Sequence, residues 1–331
     1  MTETTSFTGF SRRSLELDAA SEVERIVAFL QENVLRRLHR QGAVVGISGG
    51  VDSSVVLALC VRAFGPGRVV GILLPEQESS PESADLAHLL AKRFDVMTVT
   101  EDITPALQGA GCYRRRDEAV KRVFPEFEPD WKSKITLPGN LLEEDRLNIF
   151  SLTVIRPDGS EQTQRLPLRE YAQIVAASNF KQRTRMAMLY YHAELRNYAV
   201  IGTPNKNERD MGFFVKYGDG GADINPIGHL FKSQVFQLAR YLDVPVEIQQ
   251  RPPTTDTYSA GSTQEEFFYR IPFEILDLVW LGYERNVPRA EIAAALGLSE
   301  DQVGRVIADI ERKRRATEYL RAHPINLDSA G

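Results

Sequence analysis

Cysteine is scarce in this chain of 331 residues, which has only two, Cys60 and Cys112, with no paired spacing between them. A disulfide framework, a CxxC metal site and a thiol-transfer motif are all unsupported. Long hydrophobic runs are also missing: no apolar stretch reaches the ~18 residues that suggest a membrane span. The polar start MTETTSFTGFSRRS has no signal-peptide core. The expectation is a cytoplasmic protein with no membrane partner. Nor is there an excess of positive charge, since 40 Lys and Arg stand against 45 Asp and Glu for a formal charge of −5. That balance argues against a general nucleic-acid footprint, and no nucleic-acid partner is expected. What remains is a chain that is 43% hydrophobic, enough for a substantial core in one large or two modest domains.

The most informative stretch is SGGVDSS, residues 48–54, set between the apolar runs AVVGI (43–47) and VVLAL (55–59). It reads as a buried strand entering a glycine turn and leaving as a helix. Such a junction aims backbone N–H groups and the positive helix end at one point, where Ser48, Ser53 and Ser54 add hydroxyls. That environment suits a polyphosphate. The turn lacks the Lys that follows the glycines of a Walker loop, and it carries Asp52, which repels phosphate unless a cation lies between them. A Mg²⁺-bound pyrophosphate resolves the conflict. These residues resemble the pyrophosphate loop of the ATP-pyrophosphatase (PP-loop) superfamily, whose members cleave ATP between the α and β phosphates and adenylate an acceptor. An ordinary glycine turn is the bland alternative, which the full strand, SGGxDS and helix context disfavours.

Along the chain, 21–40 shows helical spacing at Val23, Ile26, Val27, Phe29, Leu30, Val34, Leu35 and Leu38. After the loop helix come a Gly-Pro-Gly turn, a strand over 68–74, a helix from Pro81 and a strand over 95–100. This alternation predicts an α/β fold with a doubly wound parallel sheet, ligands lying beyond the carboxyl ends of its strands. Between 112 and 168 the rhythm breaks. A hairpin is expected from 148–155, the turn RPDGS and 161–166, within an insertion that serves as a flap or interface arm. The pattern resumes with a helix over 169–196 and a strand over 198–201. A long polar segment, 202–228, is expected without regular structure, and a loop of that length is usually functional. A helix over 232–242 follows. Two helical patterns, 289–296 and 300–310, flank Gly297-Leu298-Ser299 in the manner of a helix-turn-helix. With no basic recognition face, they read as a packing unit. The expected division is an N-terminal arm and helix (1–43), an ATP-binding catalytic domain (44–258) with the insertion at about 112–168, and a helical C-terminal region (259–331).

The segment GTPNKNERDMGFFVKYGDGGADINPIGHLFKSQV, 202–235, narrows the resemblance to the NAD synthases, as do NFKQRTRM (179–186) and the PPT of Pro252, Pro253 and Thr254. The resemblance implies the PP-loop fold of adenine-nucleotide alpha-hydrolase type with a helical C-terminal part. It implies that ATP and Mg²⁺ are used to adenylate deamido-NAD, and that ammonia then displaces AMP to leave NAD. It also implies the site. Gly46, Ser48, Gly49, Gly50, Asp52, Ser53, Thr203, Lys232 and Thr254 contact ATP. Asp52 and Glu208 hold Mg²⁺. Asp52, Asp219 and Lys232 act in catalysis, and Arg183, Lys216 and Asp223 hold the acceptor. The chemistry is consistent with these residue types: hard carboxylate oxygens suit Mg²⁺, and a lysine opening a helix is tolerated where an anion lies beside it. Each residue alone also has an ordinary reading, as a turn residue, a surface lysine or a solvated helix face.

The chain departs from the family in three places. Phe267 falls where a second acidic residue is usual, and Tyr319 and Leu320 fall where a His-Lys pair meets the dinucleotide. Replacing that charged pair with aromatic and aliphatic groups favours a less anionic or more apolar acceptor, so the same amidation of a different carboxylic acid stands as the alternative. A nucleotide-binding sensor without catalysis is a third reading, disfavoured by Asp52, Glu208 and Lys232. Only about 43 residues precede the first strand and no nucleophilic Cys is among them. Nitrogen is therefore expected as free ammonia or from a separate glutaminase. A homodimer is expected from the resemblance alone.

Overall fold

The computed structural model describes residues 9–137, 139–143, 150–253, 259–260 and 263–327. A helix, α1 (Ala19–Gln31), is N-capped by Asp18 and extended by a π-helical segment, Glu32–Arg37. It leads to the strand β1 (Ala43–Gly46), whose small and β-branched residues are covered on both faces. The loop 47–50 and the helix α2 (Val51–Phe64) follow, then β2 (Val69–Leu73), α3 (Pro81–Phe94), β3 (Met97–Thr100) and α4 (Thr104–Gly109). The strand after the next long crossover, β7 (Ala199–Ile201), pairs with the other side of β1, giving a parallel sheet in the order β3-β2-β1-β7. Val44 faces both Val70 and Val200 in register.

Side chains alternate between two cores, as the strand period of two requires. Ala43, Val45, Val69, Leu73, Ala199 and Ile201 join α1 and α2 on one face. Val44, Val70, Ile72 and Val200 meet Met186, Leu189 and Ala193 on the other. Those last three belong to α6 (Leu168–Arg196), a helix of 29 residues. The sheet is thus wound on both faces, with β1 and β7 running out on opposite sides of a topological switch point. The carboxyl end of such a switch point is where ligands settle in open α/β sheets.

The stretch expected to be an irregular insertion is more ordered than the sequence suggested. It opens with a helix, α5 (Cys112–Val123), packed along α6, and Cys112 is buried there. The expected hairpin is β5 (Ser151–Ile155) and β6 (Glu161–Arg165), joined by a third antiparallel strand, β4 (Lys132–Thr136). The apolar alternation of β4 is too short to stand out beside its lysines. This arm has its own core of Val120, Phe124, Phe127, Ile135, Leu152, Val154 and Ile174. The 202–228 segment is also not free of regular structure, since it contains α7 (Lys206–Met211). Its start signal is a capping box rather than an apolar stripe, which is why helical periodicity did not reveal it.

Beyond α8 (Lys232–Tyr241) and α9 (Val246–Gln250), the C-terminal region comprises α10 (Phe273–Glu284), α11 (Arg289–Leu296), α12 (Glu300–Ala316) and α13 (Glu318–Arg321). α11 and α12, the pair reminiscent of a DNA reader, pack with α10 around Trp280, Ile292, Val303, Val306 and Ile310. Their apolar faces form a core. The chain start joins it through Leu15 and Phe10.

Candidate active site

The loop after β1 turns at Gly49, whose φ of +74° falls in the left-handed region. A side chain there would also meet the Ser83 carbonyl oxygen at 2.7 Å, so the turn needs glycine twice over. No side chain caps the first turn of α2. Ser53 and Ser54 instead donate to the Gly50 carbonyl at 3.0 and 2.9 Å, folding their hydroxyls beside the helix start. The N–H groups of that turn face a cavity of about 130 Å³ lined by Ser48, Gly50, Asp52, Ser53, Thr203, Glu208, Asp219, Lys232 and Gln264.

Three charged groups meet at its floor. Lys232 opens α8 and is almost wholly buried, and its ammonium donates to Asp52 Oδ2. Asn205 donates its side-chain amide to Asp52 Oδ1 at 3.0 Å. Asn205 is also the N-cap of α7 and forms a reciprocal box with Glu208: the Glu208 N–H donates to Asn205 Oδ1, and Glu208 Oε2 accepts the Asn205 N–H, both at 3.1 Å. Glu208 Oε1 accepts the Gln264 amide at 3.1 Å. One side chain therefore caps a helix and faces the cavity at the same time.

The electrostatics follow from this crowding. Burial, followed by the neighbouring Asp52 carboxylate, pushes the Glu208 pKa up to about 8. Burial opposes the charge on Lys232, but Asp52 and Glu208 outweigh it and hold the ammonium above its ordinary value. Asp219 accepts the Val215 N–H at 2.8 Å, and burial raises its pKa to about 6. Three carboxyl groups crowd one ammonium in a small space: Asp52 and Asp219 outnumber the Lys232 charge at neutral pH, and an added cation would draw the proton off Glu208 as well. The buried Gln264 Oε1 has no hydrogen-bond partner among the described residues. Hard oxygens, excess negative charge and an orphaned acceptor fit Mg²⁺. Among the described residues there is no cluster of three or more His, Cys, Asp or Glu that could hold a metal by itself. Such a site is completed by water and substrate phosphates, as is usual for Mg²⁺.

The anion that a helix-opening lysine calls for is present beneath it. Asn207 Oδ1 accepts the Lys232 N–H at 3.0 Å, and the Asn207 amide donates to Asp277 at 2.6 Å. The other Asp277 oxygen accepts the Ser233 N–H at 2.9 Å. In the run NKNE each polar residue except Lys206 thus serves the site: Asn205 on Asp52, Asn207 on the start of α8, and Glu208 facing the cavity.

A second cavity, of about 670 Å³, adjoins the first and shares Ser48, Thr203, Glu208, Asp219 and Gln264 with it. Gly46, Arg183 and Lys216 line it, together with Tyr319 and Leu320. Arg183 donates through Nε to the Lys216 carbonyl at 3.1 Å, and Lys216 Nζ donates to the carbonyls of Tyr319 and Ala322 at 2.9 and 2.8 Å. Asp223 lines neither cavity. It accepts the Val200 N–H at 2.8 Å and the Tyr190 hydroxyl at 2.9 Å, fastening the segment after β7. Thr254 lies outside the described residues, as does the side chain of Phe267. Sequence reasoning missed Asn205 and Gln264. The first was detectable as the N-cap of an N-x-x-E capping box. The second had no local signal, because it reaches the site through the fold of the segment after the PPT run.

A glycine turn of this kind at the switch point of a parallel sheet, backed by hard oxygen donors and a buried lysine, defines an ATP-pyrophosphatase-type α/β enzyme. The sequence model of NAD synthase matches residues 22–121 and 145–324. The chain is 50% identical to the "NH(3)-dependent NAD(+) synthetase" of Mesorhizobium japonicum over 311 residues, covering 94% of this chain and 97% of that protein. It is likewise 50% identical to the protein of the same name from Rhizobium meliloti over 315 residues, or 95% and 94% of the two chains. The solved NH3-dependent NAD synthetase from Campylobacter jejuni superposes with a TM-score of 0.60 at 23% identity, covering 94% of this chain and all of that one. The chain belongs to the NAD synthase family, whose members are ligases that form an amide C–N bond.

Proposed function

We propose that this protein converts deamido-NAD, ammonia and ATP to NAD, AMP and pyrophosphate. The observation that carries this reading is the meeting of Asp52, Glu208 and Lys232 at the start of α2, in a cavity continuous with a larger one lined by Arg183 and Lys216. A carboxylate is a poor electrophile, so the acceptor carboxylate oxygen attacks the α phosphorus of ATP and pyrophosphate leaves. The nitrogen lone pair of ammonia then attacks the acyl carbon. The C–O bond to AMP breaks, and a proton is lost from nitrogen.

The first turn of α2, with Ser48 and Ser53, receives the phosphates. Lys232 stands ready to transfer its charge from Asp52 to them. Asp52 and Glu208 would hold Mg²⁺, which supplies charge neutralisation for the departing pyrophosphate. Asp219, with its pKa near 6, is suited to orient ammonia and accept the released proton. Thr254 completes the ATP contacts and Arg183 and Lys216 hold the acceptor, whereas Asp223 acts by positioning. No helix among the described residues is long and apolar enough to cross a membrane. The reading includes a cytoplasmic homodimer that takes free ammonia or is fed by a separate glutaminase, with an ATP-binding catalytic domain at 44–258.

The test is AMP and amide formation with deamido-NAD, ammonium and Mg²⁺, against a panel of smaller carboxylic acids. Turnover of deamido-NAD above all others is expected. Faster turnover of another acid would move the reading to that acid, and intact ATP binding without any turnover would make the protein a sensor.

A further inference from the structure

The arm does more than decorate the sheet. Phe150, just before β5, stacks on Tyr171 of α6 with ring centroids 4.3 Å apart and planes inclined by 22°. Both rings sit at the edge of the arm's core, and both line the 670 Å³ cavity. Across it lies Tyr319: burial raises the Tyr171 pKa, and the nearby Tyr319 phenol adds to the rise. The NAD synthase model leaves out residues 122–144. That gap holds Phe124, Phe127 and the strand β4 with Ile135, all members of the core cluster against which Phe150 packs. Part of the core behind the wall thus lies in a stretch that the NAD synthase model does not match.

Its distance from the chemistry determines what it can hold. Among the residues of α6 that line the cavity, Tyr171, Val175, Ser178, Gln182 and Met186 keep the helical spacing of a single stripe. The turn bearing Asp219 packs against the far end of that stripe, because Gly218 abuts Gln182 and Gly221 abuts Met186. Eleven residues of helix, from 171 to 182, span about 16 Å. A ring at Phe150 is thus too far from Asp219 to carry the reacting carboxylate. The terminal nitrogens of Arg183 have no protein partner among the described residues and are free to meet charge between the two ends.

We propose that Phe150, backed by Tyr171, is a specificity-determining residue that packs against the distal flat heteroaromatic ring of a long acceptor, the ring remote from the carboxylate being amidated. This rests on the amidation reading above and deepens it. For deamido-NAD the distal ring is the adenine, and a mononucleotide that carries the same carboxylate cannot reach the wall.

The experiment compares kcat/KM for deamido-NAD and for nicotinate mononucleotide in the wild type and in Phe150→Leu, Phe150→Tyr and Tyr171→Ala, with KM for ATP as a second readout. Phe150→Leu preserves apolar bulk in the arm's core but removes the ring. It is expected to lower kcat/KM for deamido-NAD about tenfold, chiefly through KM, because stacking on a flat base is the contact removed. Activity on the mononucleotide and KM for ATP should stay within about twofold. Phe150→Tyr should restore the wild-type ratio, and Tyr171→Ala should resemble Phe150→Leu. Equal losses on both acceptors, a rise in KM for ATP, or wild-type behaviour of Phe150→Leu would overturn the inference while leaving the amidation reading in place. A wild type that amidates no deamido-NAD at all would overturn both.

Discussion

Asp52 is held from two sides, by the Lys232 ammonium and the Asn205 amide. Replacing it therefore disturbs more than a loop. Asp52→Ala would leave Lys232 almost wholly buried with Glu208 as its main remaining anion, and breaking a buried pair is costly. Asp52→Asn keeps the shape and is the cleaner probe. It is expected to lower pyrophosphate release at least a thousandfold and to lower unfolding free energy by about 1–3 kcal/mol; activity assays and urea denaturation check the two parts. Glu208→Gln separates the two tasks of that side chain. Its amide oxygen can still accept the Asn205 N–H and keep the cap of α7, but the charge toward a cation is gone. The expected result is an unchanged melting temperature to within a few degrees and at least a tenfold rise in the Mg²⁺ concentration needed for half-maximal activity. Equal Mg²⁺ titrations of variant and wild type would remove Glu208 from the metal site.

Among the elements, the segment after β2 is fastened by a buried ion cluster. Lys181 of α6 donates to Glu76 at 3.0 Å and Glu78 at 2.6 Å, Tyr113 donates to Glu76 at 2.6 Å, and Arg116 of α5 also pairs with Glu78. Burial alone would raise the Glu78 pKa, but Arg116 and Lys181 outweigh it and hold it below the ordinary 4.5. Because the folded value is depressed, the stability it contributes is present above pH 4.5 and is lost as pH falls through the folded value. Glu78→Gln should therefore cost about 1–3 kcal/mol at neutral pH and flatten the acid limb of a stability–pH curve, as measured by denaturation between pH 3 and 7. Parallel acid limbs in variant and wild type would contradict this.

The same cluster shows where the sequence was legible. β1, its glycine turn and α2 could be read because one local run carries strand, turn and helix signals together. Lys181 was noted only as part of a motif, since its partners lie 105 and 103 residues away and no local pattern predicts such a meeting. α5 was hidden for a related reason: its sequence, CYRRRDEAVKRV, reads as a basic surface, yet Arg116 is buried by its acidic partners. Asp223 fell in a motif and was assigned to ligand binding, while its carboxylate is engaged by backbone and tyrosine.

At the scale of the whole molecule, both thiols are sealed. Cys60 lies in the core between α2 and its neighbours, with burial driving its thiol pKa upward, and Cys112 donates to the Ala177 carbonyl at 3.2 Å within the contact of α5 and α6. A thiolate is the reactive form. The native protein is expected to show no fast-reacting thiol toward a colorimetric disulfide reagent, and two per chain after denaturation, in line with the two cysteines of the sequence. A rapidly titrating thiol in the native protein would show that one of these interfaces opens.

α6 serves as a ruler for all of this. Within one uninterrupted helix it places Tyr171 at the arm, Lys181 at the ion cluster, Arg183 at the large cavity, Tyr190 under Asp223 and His192 beside Glu101. Because a helix advances 100° per residue, deleting a single residue between 171 and 190 would swing one end out of phase with the other by more than a quarter turn. The arm and the sheet could not both keep their partners. Removing a whole heptad would nearly restore the phase but draw the arm about 10 Å closer to the Asp219 turn. Length changes that surface loops absorb without penalty are therefore forbidden here, and the reach of the cavity is written in the residue count of this one helix.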